Sequence, residues 1–362
     1  MSEFQRKHQV IVDFLAKKQL DALLLQRVSS FAWATCGAAS YINTAATEGT
    51  ASLLVTLKGR YLVTNNIEAP RLEKEEKLAA QGWGVRAGPW YENSPEITRL
   101  AGGLRLGADM AFPGAVDVSG EMARLRANLT PEEGQRLRQV GQLSAQAMDQ
   151  AIQAVRPGMS EYEIAGLLAH AAESQGVQAI VNLIASDERI FNFRHPLPTA
   201  KKMEKYAMLV LCGRRYGLVC SVTRLVHFGS LPADLQHKAR AVAAIDAAFI
   251  DSTVPGSTLG EVFARAQEAY AQAGFDREWQ YHHQGGPAAY EPREYLATPG
   301  STDIVAGGQA YAWNPSVTGT KSEDTFLVGQ ADNEVITKIP NWPVYTVSCN
   351  HKTYERPAIL EV

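Results

Sequence analysis

The chain has 362 residues, 46% hydrophobic and 20% charged, enough to bury one large core or two ordinary ones. A formal charge of −3 leaves no basic footprint for nucleic acid, and no RNP, helix-turn-helix or zinc-finger spacing occurs. No apolar run reaches the roughly 18 to 20 residues of a membrane span, and charges interrupt the N-terminus too often for a signal peptide, so a cytoplasmic protein without membrane or nucleic-acid partners is expected.

In chain order, the spacing predicts a helix near residues 3–18 ahead of "DALLL". The segments "SSFAWATCG", "TASLLVTL" and "GRYLVTNN" read as strands, and "IEAPRLEKEEKLAAQG" as a helix ended by Gly82. No G-x-G-x-x-G follows a strand and no P-loop is present, so neither dinucleotide nor P-loop chemistry is indicated. A long helix then runs from about residue 130 to Pro157-Gly158. Ser160 with Glu163 and Thr258 with Glu261 form capping boxes for two further helices. The domain boundary is set at residue 130, giving an α/β unit over 1–130 and a mixed α and β unit over 131–362 with helices on an antiparallel sheet.

The hairpin "AMLVLCGRRYGLVCSVTRLVHFG", Ala207 to Gly229, contains no acid. Cys212 and Cys220 read as packing thiols, with Cys36 and Cys349 also unpaired by any C-x-x-C motif, and Arg214-Arg215 as a solvated turn. Three further segments of the second half place histidines and carboxylates beside apolar strands, where they cost free energy unless paired. These are "FNFRHPLPT" with His195, "YHHQGGPAAYEPRE" with His282, His283, Tyr290 and Glu291, and "YAWNPSVTGTKSEDTFLV" with Asn314, Glu323 and Asp324. Trp313 reads as core.

In order and content these segments resemble the pita-bread family of creatinase, prolidase, aminopeptidase P and methionine aminopeptidase. The first 130 residues, with "LDALLL" and "RYLVTNN", look like the N-terminal domain carried by creatinase and the prolidases. The resemblance implies a creatinase-type N-terminal α/β domain followed by a pita-bread catalytic domain. Metalloenzymes of the family hold two divalent ions with two Asp, one His and two Glu. Against that pattern the first Asp position falls on Leu211 or Val210, the second on Ser221, and one Glu position on Asn314; His283 and Glu323 are retained. One imidazole and one carboxylate do not fill two metal shells, so no metal and no cofactor is expected.

The metal-free member of the family, creatinase, then suggests a metal-independent hydrolase of a C–N bond in a small polar molecule or short peptide, active as a homodimer. The resemblance implies His195, in "RHPLPT", as proton shuttle. His283 and Glu323 would orient water or stabilise developing charge. Arg224 would anchor a carboxylate or hold Glu291 or Asp324, and His282, Tyr290, Glu291 and Asn314 would contact substrate. Because neighbours on a strand face opposite ways, one of each adjacent pair enters the pocket, and the family register selects His283 over His282 and Glu323 over Asp324. Two alternatives stay open: a divergent Xaa-Pro peptidase binding one ion with help from Asp324, and an inactive relative that binds a ligand in the old cleft.

Overall fold

A computed structural model describes residues 1–92 and 95–362. The chain divides into two compact units, Met1–Arg126 with Tyr216–Leu218, and Ala127–Arg215 with Val219–Val362.

The first unit opens with α1 (Glu3–Lys18), started by a Ser2–Gln5 capping box. Strand β1 (Ala22–Arg27) follows, then α2 (Val28–Ala34), β2 (Glu48–Thr56), β3 (Gly59–Asn65), α3 (Ala69–Lys74), β4 (Gly84–Gly88), α4 (Glu96–Ala101), β5 (Leu106–Ala108), β6 (Val116–Asp117) and α5 (Ser119–Arg126). The strands form one sheet in the order β4-β3-β2-β1-β5-β6. "SSFAWATCG" is therefore helix where a strand was expected. Every residue of α2 is buried, so it carries no amphipathic stripe by which a helix is recognised. The Asp109 carboxylate accepts the amides of Gln26 and Arg27, ending β1 at that point. The helix expected after Asn65 is also shorter. It breaks after Lys74, and a single 3₁₀ turn at Leu78–Gln81 precedes Gly82.

The second unit begins with α6 (Pro131–Ala154) and α7 (Glu161–Glu173), started by the capping boxes Thr130–Glu133 and Ser160–Glu163. Next come β7 (Gln178–Ser186), α8 (Glu188–Asn192), β8 (Tyr206–Arg215), β9 (Leu218–His227), α9 (Ala233–Ser252) and α10 (Leu259–Gln272). Short strands complete it: β10 (Gly285–Ala288), β11 (Ala310–Trp313), β12 (Ser316–Val317), β13 (Thr320–Lys321), β14 (Asp324–Leu327), β15 (Glu334–Val335), β16 (Val344–Cys349), β17 (Lys352–Pro357) and β18 (Leu360–Glu361). Two four-stranded sheets result, β18-β9-β8-β7 and β10-β11-β14-β15. No helix among the described residues is long and apolar enough to cross a membrane.

Tyr216 (φ 56°) and Gly217 (φ 73°) make the two-residue, left-handed turn that the right-handed twist of β8 and β9 demands. Arg214 and Arg215 consequently belong to β8, not to a solvated turn. Arg214 is buried against the Gln178 side chain, and Arg215 donates to the Gln175 carbonyl. Strand alternation splits the hairpin's two faces. Leu209, Leu211 and Val222 pack with Met148, Ile152 and Leu168 of α6 and α7, while Met208 and Val210 face the other way. A second core, with Phe249 and Trp313 stacked at 4.6 Å, lies under α9 and α10.

Behind β14 sits a buried quartet of charges. Arg224 Nη2 donates to Asp324 Oδ1 at 2.8 Å, and Arg356 bridges Asp324 Oδ2 and Asp246 Oδ2, both at 2.7 Å. Thr337 and Ser322 hydroxyls donate to the two carboxylates. Positive and negative groups alternate through the quartet, each carboxylate facing a guanidinium. Arg356→Met is expected to cost about 3–5 kcal/mol in urea unfolding at pH 7, because it strands two buried carboxylates beside one guanidinium; a loss below about 1 kcal/mol would show that the quartet is not interdependent.

Candidate functional site

Two carboxylates, buried Glu161 and half-buried Asp187, hold the loop that carries His195. Glu161, at the first position of α7, accepts hydrogen bonds from the Ser186 and Thr199 amides and hydroxyls at 2.7 to 2.9 Å and from Arg189. Asp187 accepts the amides of Glu204, Lys205 and Tyr206 and so closes the loop's far end. Arg194 Nη2, next to His195, reaches Glu278 at 2.6 Å. Burial pushes the Glu161 carboxyl up, but its donors outweigh that and leave it below the usual range.

On the facing segment, the Gln284 side chain donates to the carbonyls of Trp279 and His282 and accepts from Tyr270 Oη. Gly285 has φ 114°, and a Cβ there would lie 2.2 Å from the Ala312 carbonyl oxygen, so only glycine lets the chain press onto β11. The strand starts at this glycine, after both histidines. The expected alternation therefore does not apply to His282 and His283, whose rings lie 4.6 Å apart and both point at His195. Nε2 of His282 and Nε2 of His195 are 3.0 Å apart, one donating and one accepting. His195 is exposed, His283 half-buried and His282 buried.

A cavity of about 330 Å³ opens beside these rings. His195, His283, Cys212, Arg293, Asn314, Lys321 and Glu323 line its polar part, with Val181, Leu183, Val210, Pro292 and Leu296 around them. A larger groove, about 860 Å³, runs along α9 and α10, but it shares no residue with this cavity and contains none of the histidines.

Glu323 is the electrostatic centre. Oε2 takes the Lys321 ammonium at 2.8 Å and the Thr223 hydroxyl at 2.6 Å, while Oε1 takes Arg293 Nη2 at 2.8 Å. All three charged side chains are at least nine-tenths buried. Burial would raise the carboxyl pKa, but the two cations and the hydrogen bonds hold it far below the usual range. Glu323 is thus a fixed anion and no proton acceptor near neutrality. Arg293 and Lys321 were absent from the sequence-based set. Lys321 stands two residues before Glu323, the spacing that puts strand neighbours on one face, and so was findable. Arg293 lies on an irregular loop and had no such signal.

Several assigned residues stand elsewhere. Arg224 is bound to Asp324, two carbonyls of its own neighbourhood and the Thr337 carbonyl, with its back to the cavity, so it is no substrate anchor. Asp324 is held in the rear quartet and is not available as a metal ligand. Tyr290 is buried and gives its hydroxyl to Glu133 at 2.6 Å, and Glu291 does not line the cavity. The residue opposite Ser221 is Cys212, Sγ to Oγ 3.3 Å, because the two-residue turn pairs these positions, whereas Leu211 points into the helix-side core. Burial, aided by Glu323, pushes the Cys212 thiol up to about 11, so it stays protonated.

The donor set does not fit a pair of divalent ions. Cys212, Ser221 and Asn314 are neutral, and the Arg293 guanidinium spans from Ser221 Oγ at 3.0 Å to Glu323 at 2.8 Å, between the positions that the resemblance gives to two metal-binding acids. The three imidazoles, with ring nitrogens within 4.8 Å of one another, offer at most a separate seat for one ion.

Burial and the Lys321 charge drive the His282 pKa down to about 2, and burial and Arg293 drive His283 to about 4. His195 is lowered by burial and Lys321, with Glu323 opposing. Two outcomes follow. Unfolded histidines take up a proton below about pH 6.5 and the folded ones do not, so stability is intact above that value and falls as the pH drops towards 5. His282 alone should contribute a slope of about 1.4 kcal/mol per pH unit, checked as the change in urea midpoint that His282→Asn removes. Glu161→Gln, which replaces the loop's charged acceptor, should destabilise by about 2 kcal/mol and raise proteolytic cleavage within 187–205, measured by limited proteolysis.

The match to a family model described as metallopeptidase family M24 spans residues 135–337. Solved structures share the fold. Prolidase from Pyrococcus horikoshii OT3 superposes with a TM-score of 0.79 at 18% identity, covering 92% of this chain and 98% of that one. An Xaa-Pro dipeptidase from Bacillus anthracis gives 0.80 at 18% identity over 99% and 100%. The N-terminal domain of FACT complex subunit SPT16 from Cicer arietinum (chickpea) gives 0.73 at 12% identity over 94% and 97%. No curated protein matches significantly.

Proposed function

Because the chain belongs to metallopeptidase family M24 yet carries a guanidinium and an ammonium where the family resemblance puts metal ligands, we propose that it hydrolyses a C–N bond in a small polar molecule without a metal ion. The observation that carries this reading is the position of Arg293, hydrogen-bonded to both Ser221 and Glu323. Fixed cations at the cavity wall supply the charge stabilisation that divalent ions would otherwise give.

His195 is the base. It is neutral, borders the cavity and, in the tautomer that donates Nε2–H to His282, keeps the Nδ1 lone pair for the water. The water oxygen bonds to the carbonyl carbon as its proton passes to His195. Lys321 offsets the charge that collects on the carbonyl oxygen. The C–N bond then breaks, and His195 returns the proton to the departing nitrogen, so that amide and water become acid and amine. Glu323 fixes the two cations and His283 borders the water; neither exchanges a proton.

Activity is expected to be unchanged by EDTA, and His195→Ala is expected to lower kcat about 10²- to 10⁴-fold, both read in a hydrolysis assay on small amides. Full loss on chelation would overturn the reading. The convergence of three imidazole nitrogens within 4.8 Å favours a second reading, in which one ion sits on the histidines. One equivalent of zinc or manganese in protein purified without added metal would move that reading ahead.

A further inference from the structure

The charged groups of the cavity do not cancel. Lys321 and Arg293 face one carboxylate, Glu323, and the remaining polar lining groups are uncharged. The three histidines are neutral and Cys212 is protonated. A surplus of one positive charge therefore sits in a cavity whose other wall is Val181, Leu183, Val210, Pro292 and Leu296. The buried Arg293 Nε has no protein partner. The acceptor side is neutral: Asn314, 2% exposed, presents an Oδ1 with no partner. Glu323, which could have met a cationic substrate, is already saturated by three donors.

We infer that this site selects a ligand with one anionic group, an uncharged N–H and a compact apolar body, and that it rejects ammonium and guanidinium groups. An N-acylated amino acid has this pattern. A peptide with a free amino terminus or a guanidino acid does not, because its cation would meet Lys321 and Arg293 with no counter-charge. The carboxylate takes the surplus positive charge, the amide N–H donates to Asn314 Oδ1, and the side chain fills the Val181–Leu183–Leu296 wall. The substrate class rests on the hydrolase reading of the same site; the charge selection does not.

The test compares N-acetyl-leucine, N-acetyl-leucinamide, alanyl-leucine and a guanidino acid, by calorimetric binding to the His195→Ala protein and by kcat/KM on the unaltered one. N-acetyl-leucine should bind about 10- to 100-fold more tightly than its neutral amide, the range of one charge-assisted hydrogen bond, and more tightly than either ligand that carries a cation. Lys321→Met should erase that preference. Arg293→Lys, which keeps the charge, should retain the preference even if Lys321→Met fails to fold. Equal binding of the amide, tighter binding of alanyl-leucine or the guanidino acid, or no binding by the carboxylate overturns the inference. Selective binding of N-acetyl-leucine without turnover would uphold it and overturn the hydrolase reading alone.

Discussion

Everything at the site depends on one carboxylate shared between two cations. Glu323 is buried, and an isolated buried anion would be neutralised by protonation. Lys321 and Arg293 prevent this from opposite oxygens, and in doing so each cation acquires a fixed place. The three groups form a rigid charge set with one positive charge to spare, and this set lowers the affinity of the adjacent histidines for protons. The imidazoles at the cavity are held neutral by partial burial beside that surplus.

The arrangement requires a strand that cannot shift. Residues 321–325 alternate: Lys321 and Glu323 face the cavity, while Ser322 and Asp324 face the quartet with Arg224, Arg356 and Asp246. Thr325 locks the register by exchanging two hydrogen bonds with the Ser221 backbone. A one-residue slip would exchange the two faces and leave every charge against the wrong partner. The quartet therefore acts as the rear anchor of the site, and Arg224 matters through Asp324 and the Glu323 carbonyl.

The candidate site was partly legible in the sequence. The absence of acids from the 207–229 hairpin, the isolated His195 and the pairs His282-His283 and Glu323-Asp324 stood out as polar residues beside apolar strands, and the structure gathers His195, His283, Asn314 and Glu323 around one cavity, with His282 hydrogen-bonded to His195. The preference for His283 over His282 rested on strand alternation, which does not apply to a segment that is not yet strand, although His283 and not His282 lines the cavity. Tyr290 and Glu291 were assigned to the pocket by register alone, although the Glu133 partner of the one and the absence of the other from the lining are matters of side-chain direction; for Arg224 the ion pair with Asp324, one of its two expected roles, is the one formed. In the first unit, α2 was missed because a helix buried on all sides has no period to detect.

By itself the sequence determined the local elements whose signals are local. Capping boxes set the starts of α6, α7 and α10, the Tyr216-Gly217 turn joined β8 to β9, and substitution at acidic positions emptied the hairpin of metal-binding charge. Only the tertiary structure decided what replaces that charge. Arg293 comes from an irregular loop 30 residues before Glu323, and the two meet because β10, β11 and β14 pair side by side. Electrostatic partnership acts across space at a few ångströms, and sequence separation carries no trace of it until the sheet has formed.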